Sequence, residues 1–331
     1  MTNLYDQQKR NLRRSAGILT GFIAFVAFLG IGADMFLYGS GASPGFPILT
    51  IGALLFGGGS AWWSLRGGDR AVLESTHARP ANLADPRERI LDNVVEEMAI
   101  ASGMPKPAVW VVPDADPNAF ATGSGPEKSS IAVTAGLLDA LNREELQAVV
   151  SHEMSHVKNY DVRVMTIVAA LVGSVLLISD FGRRGMSWGG GGRRSDRDDS
   201  GGGGSGLGIL FFAVWILSII LAPIIAQLVA MSVSREREFL ADASGAELTR
   251  NPLALASALE KIDAAVGPTP SIKQGVAHLC IEDPRGRAVN EKRGAFANLF
   301  ATHPPISRRI ALLREMAYQL SGHAALPPSS L

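Results

Sequence analysis

The pattern His-Glu-Met-Ser-His at residues 152–156 is the most chemically specific feature of the sequence. On a helix, His152 and His156 lie on one face, so their imidazoles can reach a single metal ion. Glu153 projects beside them, where its carboxylate can take a proton from a water molecule at the metal. Two imidazole ligands, one base and one open coordination position are what a zinc hydrolase needs. The pattern therefore predicts metal-assisted hydrolysis.

A catalytic zinc ion needs a third protein ligand, and no histidine follows closely after His156. We therefore expect a carboxylate from a distant segment. Glu238 and Asp242 are the candidates, because they lie four residues apart and share a helix face. Glu238 would bind the metal while Asp242 accepts a hydrogen bond from a ligand imidazole. The same spacing is also typical of a charged helix end that faces solvent.

The composition limits the classes of protein that the chain can represent. Apolar residues make up 47% of the 331 residues and are concentrated in a few runs almost free of charge, which indicates a membrane protein. The 31 basic residues equal the 31 acidic ones, so the sequence does not indicate nucleic-acid binding. The single cysteine, Cys280, excludes an intrachain disulfide and a zinc site built from cysteines.

Two apolar runs near the N-terminus predict a transmembrane hairpin. The first, residues 16–38, is too long for a cleavable signal peptide, and the second covers residues 46–65. Basic residues precede the first run and follow the second, which places both ends of the hairpin in the cytoplasm.

Two further apolar runs follow the histidine pattern, at Val164–Ser179 and Leu207–Ser234. The segment between them, residues 183–206, is rich in Gly, Arg and Asp and predicts a flexible loop. Two spans here would return the chain to the side of the membrane that holds His152, where Glu238 could meet it. The first of these runs is short for a span, so buried helices of a soluble domain are the alternative.

The remaining sequence predicts a small α+β catalytic unit, mostly helical, in a protein with about four transmembrane helices. Helical periodicity occurs at Pro86–Ser102, Glu144–Val162, Leu253–Ala265 and Ser307–Leu320. Strand-like runs that predict a short β-sheet occur at Ala108–Val112, Asn118–Thr122 and Ser130–Thr134. The expected organisation is a cytoplasmic N-terminus (1–15), the hairpin (16–65), the first part of the catalytic unit (66–163), a third apolar helix (164–182), the loop (183–206), a fourth apolar helix (207–234), the second part of the catalytic unit (235–323) and a tail (324–331).

Four motifs occur in one order along the chain: NAFATG (Asn118–Gly123), AVVSHEMSHVKNYD (Ala148–Asp161), SREREFLADASGAEL (Ser234–Leu248) and THPPISRRI (Thr302–Ile310). Together they resemble the HtpX-type membrane zinc metallopeptidases, which are related to the type I CAAX prenyl proteases. The resemblance implies a zincin-like (gluzincin) catalytic unit. Residues 183–206 are not part of the family's pattern.

The resemblance also implies roles for individual residues. It implies one Zn²⁺ per chain, bound by His152, His156 and Glu238, with Glu153 as the base and Asp242 in support. It further implies that His303 and Arg309 approach the site, where they stabilise an oxyanion or hold substrate. Without the resemblance, His303 would be a loop residue and Arg309 a surface charge. The resemblance also implies that Asn118, Ala119 and Phe120 belong to an edge strand that pairs with an extended substrate; without it they would be an ordinary strand and turn.

These features lead to the expectation of a zinc endopeptidase in the cell (inner) membrane, with its active site facing the cytoplasm. Its partners would be the lipid bilayer and protein or peptide substrates, and by resemblance those substrates are misfolded or damaged membrane proteins. One alternative is a prenyl-protein processing peptidase, although about four spans are few for that branch. Another is a zinc-stabilised membrane scaffold without activity, which would have no use for Glu153.

Overall fold

A computed structural model describes residues 4–39, 46–171, 210, 213–218, 221, 235–265, 279–281 and 304–320. The N-terminal part is a pair of long helices, and the remainder is a small sheet surrounded by helices. The helices are α1 (Leu4–Gly39), α2 (Ile48–Ser75), α3 (Pro86–Ser102), α4 (Ala135–Ala140), α5 (Arg143–Lys158), α6 (Arg235–Thr249), α7 (Pro252–Ala264) and α8 (Ile306–Leu320). The strands are β1 (Arg79–Pro80), β2 (Ala108–Val112), β3 (Ala119–Gly125) and β4 (Lys128–Thr134).

Helices α1 and α2 pack against each other and carry the two candidate membrane spans of the described residues, Lys9–Met35 and Ile48–Ser75. Large apolar side chains on both helices are exposed, as expected for a surface that faces lipid. Asp34, near the end of α1, is buried and accepts hydrogen bonds from the backbone N–H groups of Leu49 and Thr50. It therefore satisfies the free donors at the start of α2, as an N-cap residue does.

Helix α2 is longer than the apolar run that predicts it. It continues ten residues beyond the expected end at residue 65, because Val72 and Leu73 find apolar partners in the sheet, among them Val112 and Phe120. The membrane hairpin is thus continuous with the core of the catalytic unit, without an intervening linker.

The third and fourth apolar runs are described only in part. Residues 161–171 are helical, and Ile167 and Leu171 pack against Phe22 of α1. In the fourth run, residues 213–218 are helical, and the Trp215 side chain donates a hydrogen bond to the Leu29 carbonyl of α1. Residues 210 and 221 of the fourth run are also helical, and the rest of both runs, residues 183–206 and the tail lie outside the described residues. A total of four spans therefore stays a prediction.

The sheet is mixed, with the strand order β1-β2-β4-β3. Strands β2 and β4 are parallel and the other neighbours are antiparallel. Alternate side chains point to opposite faces: Ile131 and Val133 pack towards α3 and α5, while Ala132 lies on the side of α2 and residues 161–171. The three predicted strands are confirmed, and β3 extends to Gly125; β1 has only two residues and was not predicted.

Helix α5 carries the histidine pattern and has a well-defined start. Asn142 and Glu145 form a capping box, and the Glu145 carboxylate also accepts hydrogen bonds from Ser257 and Lys261 of α7. The prediction that one helix continues to Val162 is wrong. The helix ends at Lys158, Tyr160 adopts a left-handed conformation with φ of 58°, and helical structure resumes at residue 161.

Candidate metal centre

Helices α5 and α6 cross closely and bring two distant parts of the sequence together. The contact point is Gly245 on α6: a Cβ atom there would lie 3.0 Å from the backbone nitrogen of His152. The Ser151 hydroxyl on α5 donates a hydrogen bond of 3.1 Å to the Gly245 carbonyl. Because glycine permits this approach, the side chains of α6 one to two turns earlier reach the histidines of α5.

His152, His156 and Glu238 form a buried triad whose ligand atoms all lie within 4.8 Å of one another. The Nε2 atom of His152 is 3.7 Å from one Glu238 oxygen, and the Nε2 atom of His156 is 3.6 Å from the other. Two ligand atoms about 2.1 Å from a tetrahedral zinc ion lie roughly 3.4 Å apart, so both histidine–carboxylate distances are close to those of a zinc site. The expectation that Glu238 joins the two histidines is confirmed.

The site contains buried polar atoms without hydrogen-bond partners among the described residues, as expected where a metal ion binds. The Nε2 atom of His152 is buried and has no hydrogen-bond partner among the described residues, and neither has either carboxylate oxygen of Glu153. Such atoms are costly to bury alone, which indicates a metal ion and water between them. Burial raises the pKa of the Glu153 carboxyl, and the nearby charges of His152 and His156 oppose part of that rise.

Asp242 lies behind His152, with its Oδ1 atom 3.0 Å from the imidazole Nδ1 atom. Arg309 holds this carboxylate with two hydrogen bonds, from Nε to Oδ2 at 2.8 Å and from Nη2 to Oδ1 at 2.7 Å. Burial alone would raise the pKa of Asp242, but Arg309 and His152 lower it to about 2. A permanently charged Asp242 can therefore keep the His152 ring oriented towards the metal.

Arg309 lies in the site as expected, but its side chain is shielded from solvent. Arg309 is fully buried, donates to the Ile281 carbonyl at 3.0 Å and lies 3.7 Å from a Glu238 oxygen. These contacts are with groups of the protein that support the triad. The other residue expected to stabilise an oxyanion, His303, lies outside the described residues.

Ala119 and Phe120 begin β3, the strand at the end of the sheet order, and Asn118 comes directly before it; their binding of substrate stays a prediction. The Asn118 backbone faces β4, where its carbonyl accepts a hydrogen bond from the Thr134 N–H group. The outer edge is engaged by the chain itself: the Ala119 carbonyl accepts from the Ile281 N–H group, and Phe120 forms an antiparallel bridge with Cys280. An extended substrate would have to replace these residues or pair further along β3.

Sequence reasoning missed a second buried carboxylate at the site. Asp161 approaches His156, with 3.3 Å between its Oδ2 atom and the imidazole Nδ1 atom. Asn11 of α1 and Arg237 of α6 both bond to this aspartate. The only local indication in the sequence was an acidic residue shortly after the second histidine. The direction of the Asp161 side chain depends on the break between α5 and the next helical segment.

Comparisons with known proteins agree with this site. The sequence model of the protein family described as "Peptidase family M48" matches residues 85–317 of the chain. Proteins named "Protease HtpX homolog" are similar along almost the whole length. The one from Streptococcus gordonii is 41% identical over 95% of this chain and 100% of its own. The one from Thermoanaerobacter pseudethanolicus is 40% identical over 95% and 98%, and that from Tropheryma whipplei is 42% identical over 91% and 96%.

Among solved structures, the chain is similar to S. mikatae Ste24p, with 18% sequence identity and a TM-score of 0.46. The similarity covers 94% of this chain and 66% of that protein.

Proposed function

Since this chain belongs to peptidase family M48 and is a membrane zinc metalloprotease of the HtpX type, we propose that it cleaves misfolded or damaged membrane proteins at the cytoplasmic face of the cell membrane. The observation that supports this proposal is the continuity of α2, which runs from the lipid-facing hairpin into the sheet beside the metal triad. A site held this close to the bilayer favours substrates that emerge from it.

The described residues support separate roles for Glu153 and Asp242 in hydrolysis. Bound zinc would lower the pKa of a water molecule and polarise the scissile carbonyl group. The Glu153 carboxylate would accept a proton from the attacking water and later pass it to the leaving amine. Burial raises the pKa of Glu153, which suits a group that must both take and return a proton. Asp242 keeps His152 in the orientation that the metal needs.

For the remaining two residues we propose different roles. His303 stabilises the negative charge of the tetrahedral intermediate. Arg309 acts mainly through Asp242, because its Nε and Nη2 atoms are already engaged by that carboxylate. Substrate binds as an extended strand near Asn118, Ala119 and Phe120 on the edge of β3, in competition with residues 279–281.

His303→Ala and Arg309→Ala should therefore differ in their effect on zinc. We expect each to lower turnover by roughly one to three orders of magnitude, His303→Ala through loss of one charge-stabilising donor and Arg309→Ala through loss of the support that Asp242 gives to His152. Zinc content should stay normal in His303→Ala and fall in Arg309→Ala, which leaves Asp242 buried without its cation. The measurements are steady-state proteolysis and metal content after dialysis.

Arg308→Ala is the matched control for this pair. Arg308 is exposed and its guanidinium lies over the ring of Phe239, away from Asp242, so its loss should change neither quantity. Loss of zinc in His303→Ala would make His303 a ligand. Normal zinc content in Arg309→Ala would mean that Asp242 can support His152 without the arginine.

We also predict that both ends of the hairpin are cytoplasmic. The chain would be fused to a topology reporter after His77, just beyond the end of α2, with a second fusion after Gly41 between the two helices. The His77 fusion should be active as a cytoplasmic reporter and the Gly41 fusion as an external one, because basic residues flank the outer ends of the hairpin. The opposite pattern would mean that the protein has the reverse orientation in the membrane, with the zinc site outside the cytoplasm.

The substrate class is tested by digestion of a destabilised membrane protein in vesicles, compared with casein and with a prenylated peptide. We expect cleavage of the destabilised protein over its folded form, abolished by a chelator and restored by zinc. Preferential turnover of the prenylated peptide would instead favour prenyl-protein processing. Failure to cleave any of the three, with zinc bound, would contradict a general endopeptidase.

A further inference from the structure

The two histidine ligands have matching surroundings. Behind His152 lies Asp242, a buried carboxylate held by a buried arginine. Behind His156 lies Asp161, another buried carboxylate, 3.3 Å from the Nδ1 atom and 3.2 Å from the Nη1 atom of the buried Arg237. In both cases the carboxylate faces Nδ1, which leaves Nε2 for the metal. This is the arrangement by which a carboxylate fixes the tautomer and orientation of a ligand histidine.

Asp161 reaches His156 only because the chain turns after α5. On an uninterrupted helix a residue five positions later lies about 140° round the axis from His156, so its side chain would point elsewhere. The helix ends at Lys158, and the left-handed Tyr160 redirects the backbone. Asp161 then starts the next helical segment with its side chain directed back to the imidazole.

The N-terminal helix holds this turn in place. Asn11 of α1 is buried, and its side-chain amide lies 2.8 Å from an Asp161 oxygen and 2.8 Å from the Asn159 carbonyl. A primary amide carries two N–H donors, so one Asn11 side chain can satisfy both acceptors. Asn11 lies at the start of the first candidate span. These two hydrogen bonds satisfy the buried amide and join α1 to a segment about 150 positions away in the sequence.

We propose that Asp161 is a positioning residue for the zinc ligand His156, and that Asn11 ties the membrane helix α1 into the metal site. On this view zinc affinity depends on α1 being docked on the catalytic unit. A chain whose hairpin is displaced would hold its metal less tightly. The inference rests on the zinc site and not on the identity of the substrate.

The test is a zinc affinity series on the full-length protein in detergent. Asp161→Ala should weaken zinc binding about 10- to 100-fold, as loss of such a carboxylate does. Asp161→Asn, which keeps an acceptor for the imidazole N–H, should recover part of that loss. Asn11→Ala should weaken binding by about fivefold, the worth of one hydrogen bond. Affinity is measured by competition with a chromophoric chelator.

Ser15→Ala provides the matched control for Asn11. Ser15 is also buried on α1, one turn later, and its hydroxyl donates to the Asn11 carbonyl without reaching Asp161. We expect it to bind zinc as the parent protein does. Substitution of Co²⁺ gives a second measurement, because its visible absorption reports ligand geometry: the Asp161 variants and Asn11→Ala should shift the spectrum, and Ser15→Ala should not.

The outcomes separate positioning from a purely structural role. If Asp161→Asn and Asn11→Ala lose thermal stability when metal-free but bind zinc and Co²⁺ as Ser15→Ala does, the contacts only stabilise the fold and the proposal is wrong. If Asn11→Ala alone is normal, α1 is not part of the site. Zinc affinity needs no substrate, so failure of every candidate substrate would leave this result intact.

Discussion

Glu153→Gln should abolish peptide hydrolysis while the protein keeps its zinc. Glutamine has nearly the same volume as glutamate but cannot take a proton, and Glu153 has no hydrogen-bond partner among the described residues that would be lost. Loss of a general base costs about 10²- to 10⁴-fold in rate. The experiment measures casein or membrane-protein cleavage and metal content on the same preparation.

Glu145→Gln is the matched control for that substitution. Glu145 lies on the same helix and is also buried, but its carboxylate caps α5 and pairs with Lys261 of α7. Its replacement should lower the melting temperature with modest effect on turnover per folded molecule. Retained turnover of more than a few per cent in Glu153→Gln would remove Glu153 from the role of base.

Glu238→Ala should remove zinc and activity together. The triad loses one of its three ligands, whose oxygens lie 3.6 and 3.7 Å from the two imidazoles. Among the described residues, no other carboxylate forms such a cluster with both histidines. Glu238→Gln keeps the volume but loses the charge, so it should also fail to hold zinc, which separates ligation from packing. Metal content and chelator competition give the result.

Two neighbouring substitutions complete this prediction. Asp242→Ala should weaken zinc binding about 10- to 100-fold without abolishing it, because it removes the support of His152 and not a ligand. Glu236→Ala should be nearly silent, since a residue two positions from Glu238 points about 200° away on a helix. Zinc loss in Glu236→Ala with zinc retained in Glu238→Ala would contradict the register of α6.

Local patterns were enough to predict most elements of the catalytic unit. Helix α3 begins at Pro86 and ends at Ser102 as predicted, because Asp85 caps its start and the left-handed Gly103 ends it. The strand Ala108–Val112 is also as predicted. Such signals act between residues a few positions apart, so a single sequence carries them in full.

Long-range contacts could not be predicted in the same way. Spacing alone favoured a solvent-exposed helix end for Glu238 and Asp242, and only the close crossing at Gly245 buries both beside the histidines. The pairing of Arg309 with Asp242 joins residues 67 positions apart, and no periodicity links them.

The sequence by itself determined the chemistry: two histidines on one helix face with a glutamate beside them, on a chain with two apolar helices long enough to span a membrane. The tertiary structure decided what holds that chemistry in place. A two-residue break after Lys158 turns Asp161 back to His156, and Asn11 of the first helix fastens the turn. Helical periodicity describes directions only while the helix continues, so contacts made by a break and by a distant helix depend on how the whole chain packs.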